Sequence, residues 1–270
     1  MVILLQKEII PYYRKCSEEF NKIYEYLKQQ YTSGYVDEVC KLRGYVGKEQ
    51  RSEIERLQLG SCMVLPSMLG DMSRELGLVS KGGTFLLDNR YIIPVEDISY
   101  NIVALIGYYP DTKKYITTPS PFFSKEGMFF NFRRAYDLAW KEFGGRVFLV
   151  EGIFDCISMQ SIGLPCIATM GASVGSVKGE LLKLFSKVVG IPDNDKTGRR
   201  SLNRYDKRYG WNVPYNTTLI RLQGVCDFGD GEVHKVKDCD NLVSWYDAED
   251  VREMLTWFFD SKEDIEDLHI

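Results

Sequence analysis

Two apolar runs that end on acid constrain this chain more than anything else in it. Val147–Val150 (VFLV) delivers Glu151-Gly152, and Val188–Ile191 (VVGI) delivers Asp193-x-Asp195 with Gly198 behind it. A short β-branched run closed by a turn signal reads as a buried parallel strand. Between the two runs, Asp155–Ile162 reads as a helix, Cys166–Thr169 as a short strand and Lys178–Phe185 as a second helix, which is the rhythm of βαβ units. In open α/β sheets the ligand crevice lies outside the carboxyl ends of the strands. The pattern therefore sends Glu151, Asp193 and Asp195 to one sheet edge. Carboxylates gathered there repel one another and favour a cation. An oxygen-only donor set points to Mg²⁺ or Mn²⁺, and no zinc is expected. Residues two apart on an extended segment face the same side, so Asp193 and Asp195 are placed to share a metal.

A second acidic pair, Asp238 and Asp240, has the same spacing and follows the basic run His234-Lys235-Val236-Lys237. Together with the first set it would build a multi-metal carboxylate pocket. Two such metals stabilise the attacking and leaving oxygens of a phosphoryl transfer. Glu151 is a metal ligand or a general base, and the sequence leaves both roles open. The stretch from Lys196 to Arg208 carries Lys196, Arg199, Arg200, Arg204, Lys207 and Arg208 against Asp206. On a helix most of these share a face, which gives either a track for a phosphate backbone or an ordinary solvated surface.

The rest of the chain reads as soluble and globular. Its 270 residues allow one large domain or two modest ones, and 44% apolar with 27% charged residues is ordinary for a folded protein. No apolar run reaches membrane-spanning length, and the start lacks a basic n-region and cleavage signal, so neither a membrane span nor a secretory leader is expected. Seven scattered cysteines, none in a Cys-x-x-Cys pair, speak for a reducing cytoplasm and against a disulfide framework or zinc ribbon. A net charge of −4 excludes a broadly basic nucleic-acid binder, so any nucleic-acid contact must come from a local patch.

Along the chain, Ile9–Gln30, Val36–Tyr45, Ser52–Leu59 and Leu65–Leu76 read as helices. From Gly83 to Thr118 the periodicity turns β-like and suggests an antiparallel meander. Phe132–Phe143 returns to helix; after the βαβ region come a helix over Thr197–Tyr209, a strand over Thr217–Leu222 and a helix over 244–259. From Asp247 onward nine acids face only Arg252 and Lys262, which reads as a solvated acidic tail.

The Glu-Gly and Asp-x-Asp pair, over roughly Arg146 to Leu242, resembles the Toprim domain. Four further stretches resemble the RNA-polymerase core of DnaG-type bacterial and phage primases. They are DNRYIIPV (Asp88–Val95), KYITTPSPFFSKEGMFFNF (Lys114–Phe132), VEGIFDCISMQSIGLPCIATMGAS (Val150–Ser173) and KVKDCDNL (Lys235–Leu242), in the family's order. The resemblance implies an α/β fold: a Toprim βαβ, Rossmann-like parallel sheet preceded by a smaller, mixed α+β N-terminal subdomain. It divides the chain into a mostly helical subdomain (1–82), a β-rich segment with a basic ridge (83–145), the Toprim domain (146–243) and a C-terminal helix with the acidic tail (244–270).

The function so implied is synthesis of short RNA primers on single-stranded DNA from ribonucleoside triphosphates, in the cytoplasm or, for a phage protein, the host cytoplasm. The resemblance makes Glu151, Asp193 and Asp195 catalytic, adds Asp238 and Asp240 as metal ligands, and brings Asp155 into the acidic cluster. It assigns Arg90, Lys114 and Lys125 to nucleotide or template contact, with Asp155 in the acidic cluster, and the basic segment read above adds Lys196, Arg199 and Arg200 to that set. A replicative helicase and a separate zinc-domain protein are the implied partners, since this stretch holds no zinc-binding pattern.

The chain departs from the pattern in three places: Ala172 stands where a threonine is usual, Tyr108 and Tyr109 where an arginine is usual, and Pro192 where an apolar residue is usual. Two other readings use the same acids. A Toprim nuclease would cut rather than join, and a non-catalytic Toprim module would only bridge replication partners. A topoisomerase would need a longer chain.

Overall fold

The computed structural model describes residues 2–29, 33–45, 47–56, 60–61, 67–109, 112, 114–119, 123, 125–171, 173–203, 210–227 and 233–269. They form two compact units: residues 1–46 with 54–124, and residues 47–53 with 125–270.

The first unit carries helices α1 (Val2–Gln29), α2 (Ser33–Arg43) and α4 (Ser67–Glu75), and an antiparallel sheet ordered β1-β2-β3-β4. The strands are β1 (Gly60–Ser61), β2 (Tyr91–Glu96), β3 (Ile102–Tyr109) and β4 (Lys114–Thr117), the antiparallel meander expected for this stretch. Helix α3 (Lys48–Arg56) straddles the division of the chain. The α1 stripe of Phe20, Ile23, Tyr24 and Leu27 is buried in one core with Leu76, Leu87, Ile92 and Leu105. Spacing of three and four residues put those side chains on one helical face, and a core is what that face needs.

The second unit is a parallel α/β layer. Its strands are β5 (Arg146–Val150), β6 (Cys166–Ala168), β7 (Lys187–Ile191), β8 (Thr217–Gln223) and β11 (Ile265–His269), ordered β11-β8-β7-β5-β6. All four pairings are parallel. β5 and β7 are buried over four consecutive residues, as strands covered on both faces must be. Helices α5 (Phe132–Glu142), α6 (Ile153–Ser161), α7 (Ser176–Leu182), α8 (Lys196–Ser201), α9 (Cys239–Trp245) and α10 (Ala248–Trp257) surround it, and a hairpin joins β9 (Val225–Asp227) to β10 (Val233–Lys235). Trp211, fully buried, fills the core beside Val147, Leu149, Val188 and Leu219. Gly190 makes room for it, since a Cβ there would stand 2.8 Å from the indole. The Gly47–Glu53 segment belongs to this unit through Gln50 to Ser244 (3.2 Å) and Arg134 to Glu53 (3.1 Å).

Three expectations change. The helix expected over 244–259 is two helices, because Asp247 takes an extended conformation and caps α10 by accepting from the amides of Glu249 and Asp250. The acidic tail is not only a solvated face: it ends in β11, whose Leu268 is buried while Glu266 and Asp267 occupy outer positions of the sheet's edge. An edge strand has one neighbour to satisfy and tolerates charge, so its apolar signal is faint. The helix expected to reach Tyr209 is α8 only as far as Ser201, and residues 204–209 lie outside the described residues. Among the described residues no helix is long and apolar enough to cross a membrane.

Candidate active site

The register Val150↔Ile191 between β5 and β7 brings their carboxyl ends level, so Glu151 and Asp193 leave the sheet side by side. The Asp193 amide donates to Glu151 Oε1 at 3.3 Å. Two glycines allow the crowding. A Cβ at Gly152 would stand 2.3 Å from the Asp155 carboxylate, and one at Gly198 would stand 2.0 Å from the Asp193 carbonyl oxygen. The Glu-Gly pair and the glycine behind Asp-x-Asp are thus steric requirements of the acidic edge itself.

Asp195 caps α8, its Oδ1 accepting from the amides of Thr197 (2.7 Å) and Gly198 (2.9 Å). Asp238 caps α9 in the same way, accepting from Asn241 at 2.9 Å. Asp155 is buried in the first turn of α6 and accepts from the Asp240 amide at 3.0 Å. Asp240 is buried too and accepts from the Ser158 hydroxyl at 2.5 Å. The second acidic pair is therefore locked against α6. Asn194, between the two aspartates of the first pair, fastens this arrangement: its amide donates to the Lys237 carbonyl (2.6 Å) and its side chain to the Val236 carbonyl (3.1 Å).

The electrostatics follow from the packing. Burial, then the Asp193 and Asp195 charges, push Glu151 up to about 8, against the Asp193 amide and Lys237, which pull it down. Burial and the Asp238 charge push Asp193 up to about 7, with Lys237 again opposing. Asp155 is raised by burial first and then by Asp238, Asp193 and Asp240. Lys237 is thus the cation that offsets the edge, and the sequence reading did not single it out. Its signal was present in the basic run before Asp238, read there only as context.

The donor chemistry fits a hard divalent cation. Every candidate ligand is a carboxylate; the nearby Cys239 and Cys166 thiols are buried and held protonated by desolvation. Among the described residues no three acidic, histidine or cysteine side chains close on a common point. Mg²⁺ does not require that, since it keeps several waters and takes one or two carboxylates together with substrate phosphates. The clash of Glu151 with Asp193 is the charge such an ion relieves.

The basic residues divide between the units. Lys125 opens a short 3₁₀ turn (Lys125–Gly127) in the second unit, and desolvation lowers its pKa. Lys196 and Arg200 are exposed on α8, and Arg199 reaches back to Asn194 Oδ1 at 3.2 Å. In the first unit, Lys114 is exposed at the start of β4. Arg90 precedes β2 and lies 5.6 Å from the centre of the Tyr109 ring, with Nη1 buried and without a hydrogen-bond partner among the described residues. Gly107 makes the space, because a Cβ there would stand 2.6 Å from Arg90 Cδ. The glycine of IGYYP thus seats the arginine of DNRYIIPV.

Residues 148–228 match the Toprim-like family. A DNA primase of Clostridium acetobutylicum is 29% identical over 140 residues, 48% of this chain and 23% of that protein. The match thus spans about a quarter of that relative's length. The RNA polymerase domain of Mycobacterium tuberculosis primase DnaG superposes with a TM-score of 0.67 at 15% identity, covering 89% of this chain and 82% of that one. A DnaG primase catalytic domain bound to ssDNA gives 0.65 at 17%, covering 89% and 77%. The zinc-binding and RNA polymerase domains of Aquifex aeolicus primase give 0.66 at 21%, covering 88% and 60%. The chain has a Toprim-like domain within the fold of DnaG-type primase cores.

Proposed function

We propose that this chain, built on the fold of DnaG-type primase cores, joins ribonucleoside triphosphates into short RNA primers on single-stranded DNA. The observation that carries the reading is the pairing of Glu151 with Asp193 at the carboxyl ends of adjacent parallel strands β5 and β7. In the reaction, a 3′-hydroxyl attacks an α-phosphorus. The new O3′–P bond forms as the bond to the pyrophosphate oxygen breaks, and pyrophosphate leaves.

In the metal-free chain, burial beside Asp193 raises the Glu151 pKa to about 8, and its role in the reaction is that of proton acceptor or of metal ligand. Glu151, Asp193 and Asp195 would hold Mg²⁺ or Mn²⁺, with Asp238 and Asp240 behind them, and the ion supplies charge stabilisation at the reacting phosphate. Asp155 supports the cluster from inside, through the Asp240 amide. Arg90, whose buried Nη1 has no hydrogen-bond partner among the described residues, and Lys114 and Lys125 bind triphosphate or template; Lys196, Arg199 and Arg200 follow the template backbone. Partners of this reading are a replicative helicase and a zinc-domain protein that selects the start site, in the cytoplasm.

The test is primer synthesis on single-stranded DNA with labelled ribonucleotides and Mg²⁺ or Mn²⁺. Short RNA from the wild type, and none from Glu151→Ala or Asp193→Ala, is the expected result. Template cleavage in place of synthesis would move the assignment to a nuclease.

A further inference from the structure

Lys178 lies within α7 and is 2% exposed. Its Nζ donates to the Thr169 carbonyl at 2.5 Å and sits 5.3 Å from the centre of the Phe129 ring. Burying an ammonium is costly, and a methionine of similar length would fill the same space without that cost. The distinctive contribution of this side chain is therefore what its nitrogen holds.

It holds a junction. Thr169 leaves β6 with its amide bonded to the Val150 carbonyl (2.9 Å), and its hydroxyl lies within reach of the Glu151 carbonyl (3.3 Å) and that of Gly171. Met170, next in the chain, takes a left-handed φ of 57°. A non-glycine residue stays in that region only where its surroundings over-determine it. On the other side, Phe129 follows the Lys125–Gly127 turn and precedes the bridge in which Phe130 and Ala168 exchange both hydrogen bonds (2.9 and 3.2 Å). One ammonium thus ties the peptide beside Glu151 to the segment that carries Lys125.

We propose that Lys178 is a positioning residue for the carboxylate edge: it sets the Thr169–Gly171 turn, and through it the backbone of Glu151, in register with the Lys125 segment. The inference rests on the reading of Glu151 as catalytic and Lys125 as nucleotide-binding.

The experiment compares wild type, Lys178→Met and Thr169→Val by melting temperature, Mn²⁺ binding in calorimetry, and kcat and KM for ribonucleotide in primer synthesis. Lys178→Met is expected to melt at or above the wild-type temperature. Its kcat should fall roughly 10- to 100-fold with KM changed less than about threefold, and it should bind Mn²⁺ more weakly. Thr169→Val, which removes the hydroxyl step, should lower kcat in the same direction by a smaller factor. Unchanged kcat and Mn²⁺ affinity in Lys178→Met would overturn the proposal. So would a loss of melting temperature whose activity is recovered on cooling, since that is a purely structural role. If Lys178→Met does not fold, an unchanged kcat in Thr169→Val overturns it instead. Failure of the primase reading is visible in the wild type alone. If the wild type binds Mn²⁺ but makes no primer, Lys178 is judged on Mn²⁺ affinity, and equal affinity in wild type and variant sinks it. A wild type that neither primes nor binds Mn²⁺ overturns both readings.

Discussion

Glu151 shows most sharply how one residue carries two opposed requirements. In the proposed reaction its carboxyl works desolvated and close to Asp193, and both conditions penalise its charge. The sign of the consequence follows from linkage. A carboxyl whose folded pKa is raised to about 8, above its ordinary value of 4.5, binds more protons folded than unfolded in the window between them. Its contribution to stability is complete below the lower value and is lost as pH rises through the upper one. Asp193, raised to about 7, acts in the same direction. Metal-free wild type should therefore lose on the order of several kcal/mol in urea unfolding between pH 5 and pH 9, as an order-of-magnitude linkage effect. Glu151→Gln, which stays neutral throughout, should flatten much of that slope. Mg²⁺ should raise the wild-type melting temperature more at pH 8 than at pH 5.5, because it binds the deprotonated pair. A wild-type stability that climbs across this window would contradict the arrangement.

At the scale of the element, the caps separate two duties that the sequence merged. Asp195 both closes α8, through the amides of Thr197 and Gly198, and adds charge to the edge. Asparagine caps as well as aspartate, whereas alanine costs about 1 kcal/mol. Asp195→Asn should keep the wild-type melting temperature and lose primer synthesis, while Asp195→Ala should lose both. Equal activity in Asn and wild type would leave Asp195 a cap and nothing more. This doubling also marks where sequence reading stopped. The strands β5 and β7 were legible because a doubly covered strand is a continuous apolar run, and the turn signals behind them fixed the acidic edge. Gly152 and Gly198 were visible only as punctuation, since the Cβ clashes that require them depend on tertiary contacts. The burial of Asp155 and Asp240 between α6 and α9 left no trace, because a buried aspartate and a solvated one are the same letter. β11 and the β9–β10 hairpin were missed for a related reason: short edge strands with charged neighbours carry little period-2 signal. Nothing in the sequence marks Lys178 as buried, because its burial comes from Thr169 and Phe129, which lie outside its own helix.

For the whole molecule, the question is how a chain of net charge −4 would hold a polyanion. The candidate cations stand in small groups: Lys196, Arg199 and Arg200 on α8, Lys125 before α5, and Arg90 and Lys114 in the first unit. Counterion release from single strands gives a log–log salt slope of about −0.7 for each phosphate neutralised. Six such residues therefore bound the slope at roughly −4, far from the steep dependence of a dedicated basic binder. Anisotropy of a labelled single-stranded oligonucleotide, titrated from about 50 to about 200 mM KCl, should give a slope between about −2 and −4 and weak affinity at the upper end. The double variant Lys196→Ala with Arg200→Ala should shallow it by about 1 to 1.5 and leave the preference among sequences unchanged, since backbone contacts carry no sequence information. A slope unmoved by that variant would take α8 off the template path. The fit of the acidic edge to a metal and phosphate would then stand without it, because Glu151 and Asp193 are placed by β5 and β7. A slope that stays near zero in the wild type would be the deeper contradiction, since no arrangement of these six cations could then be meeting a phosphate backbone.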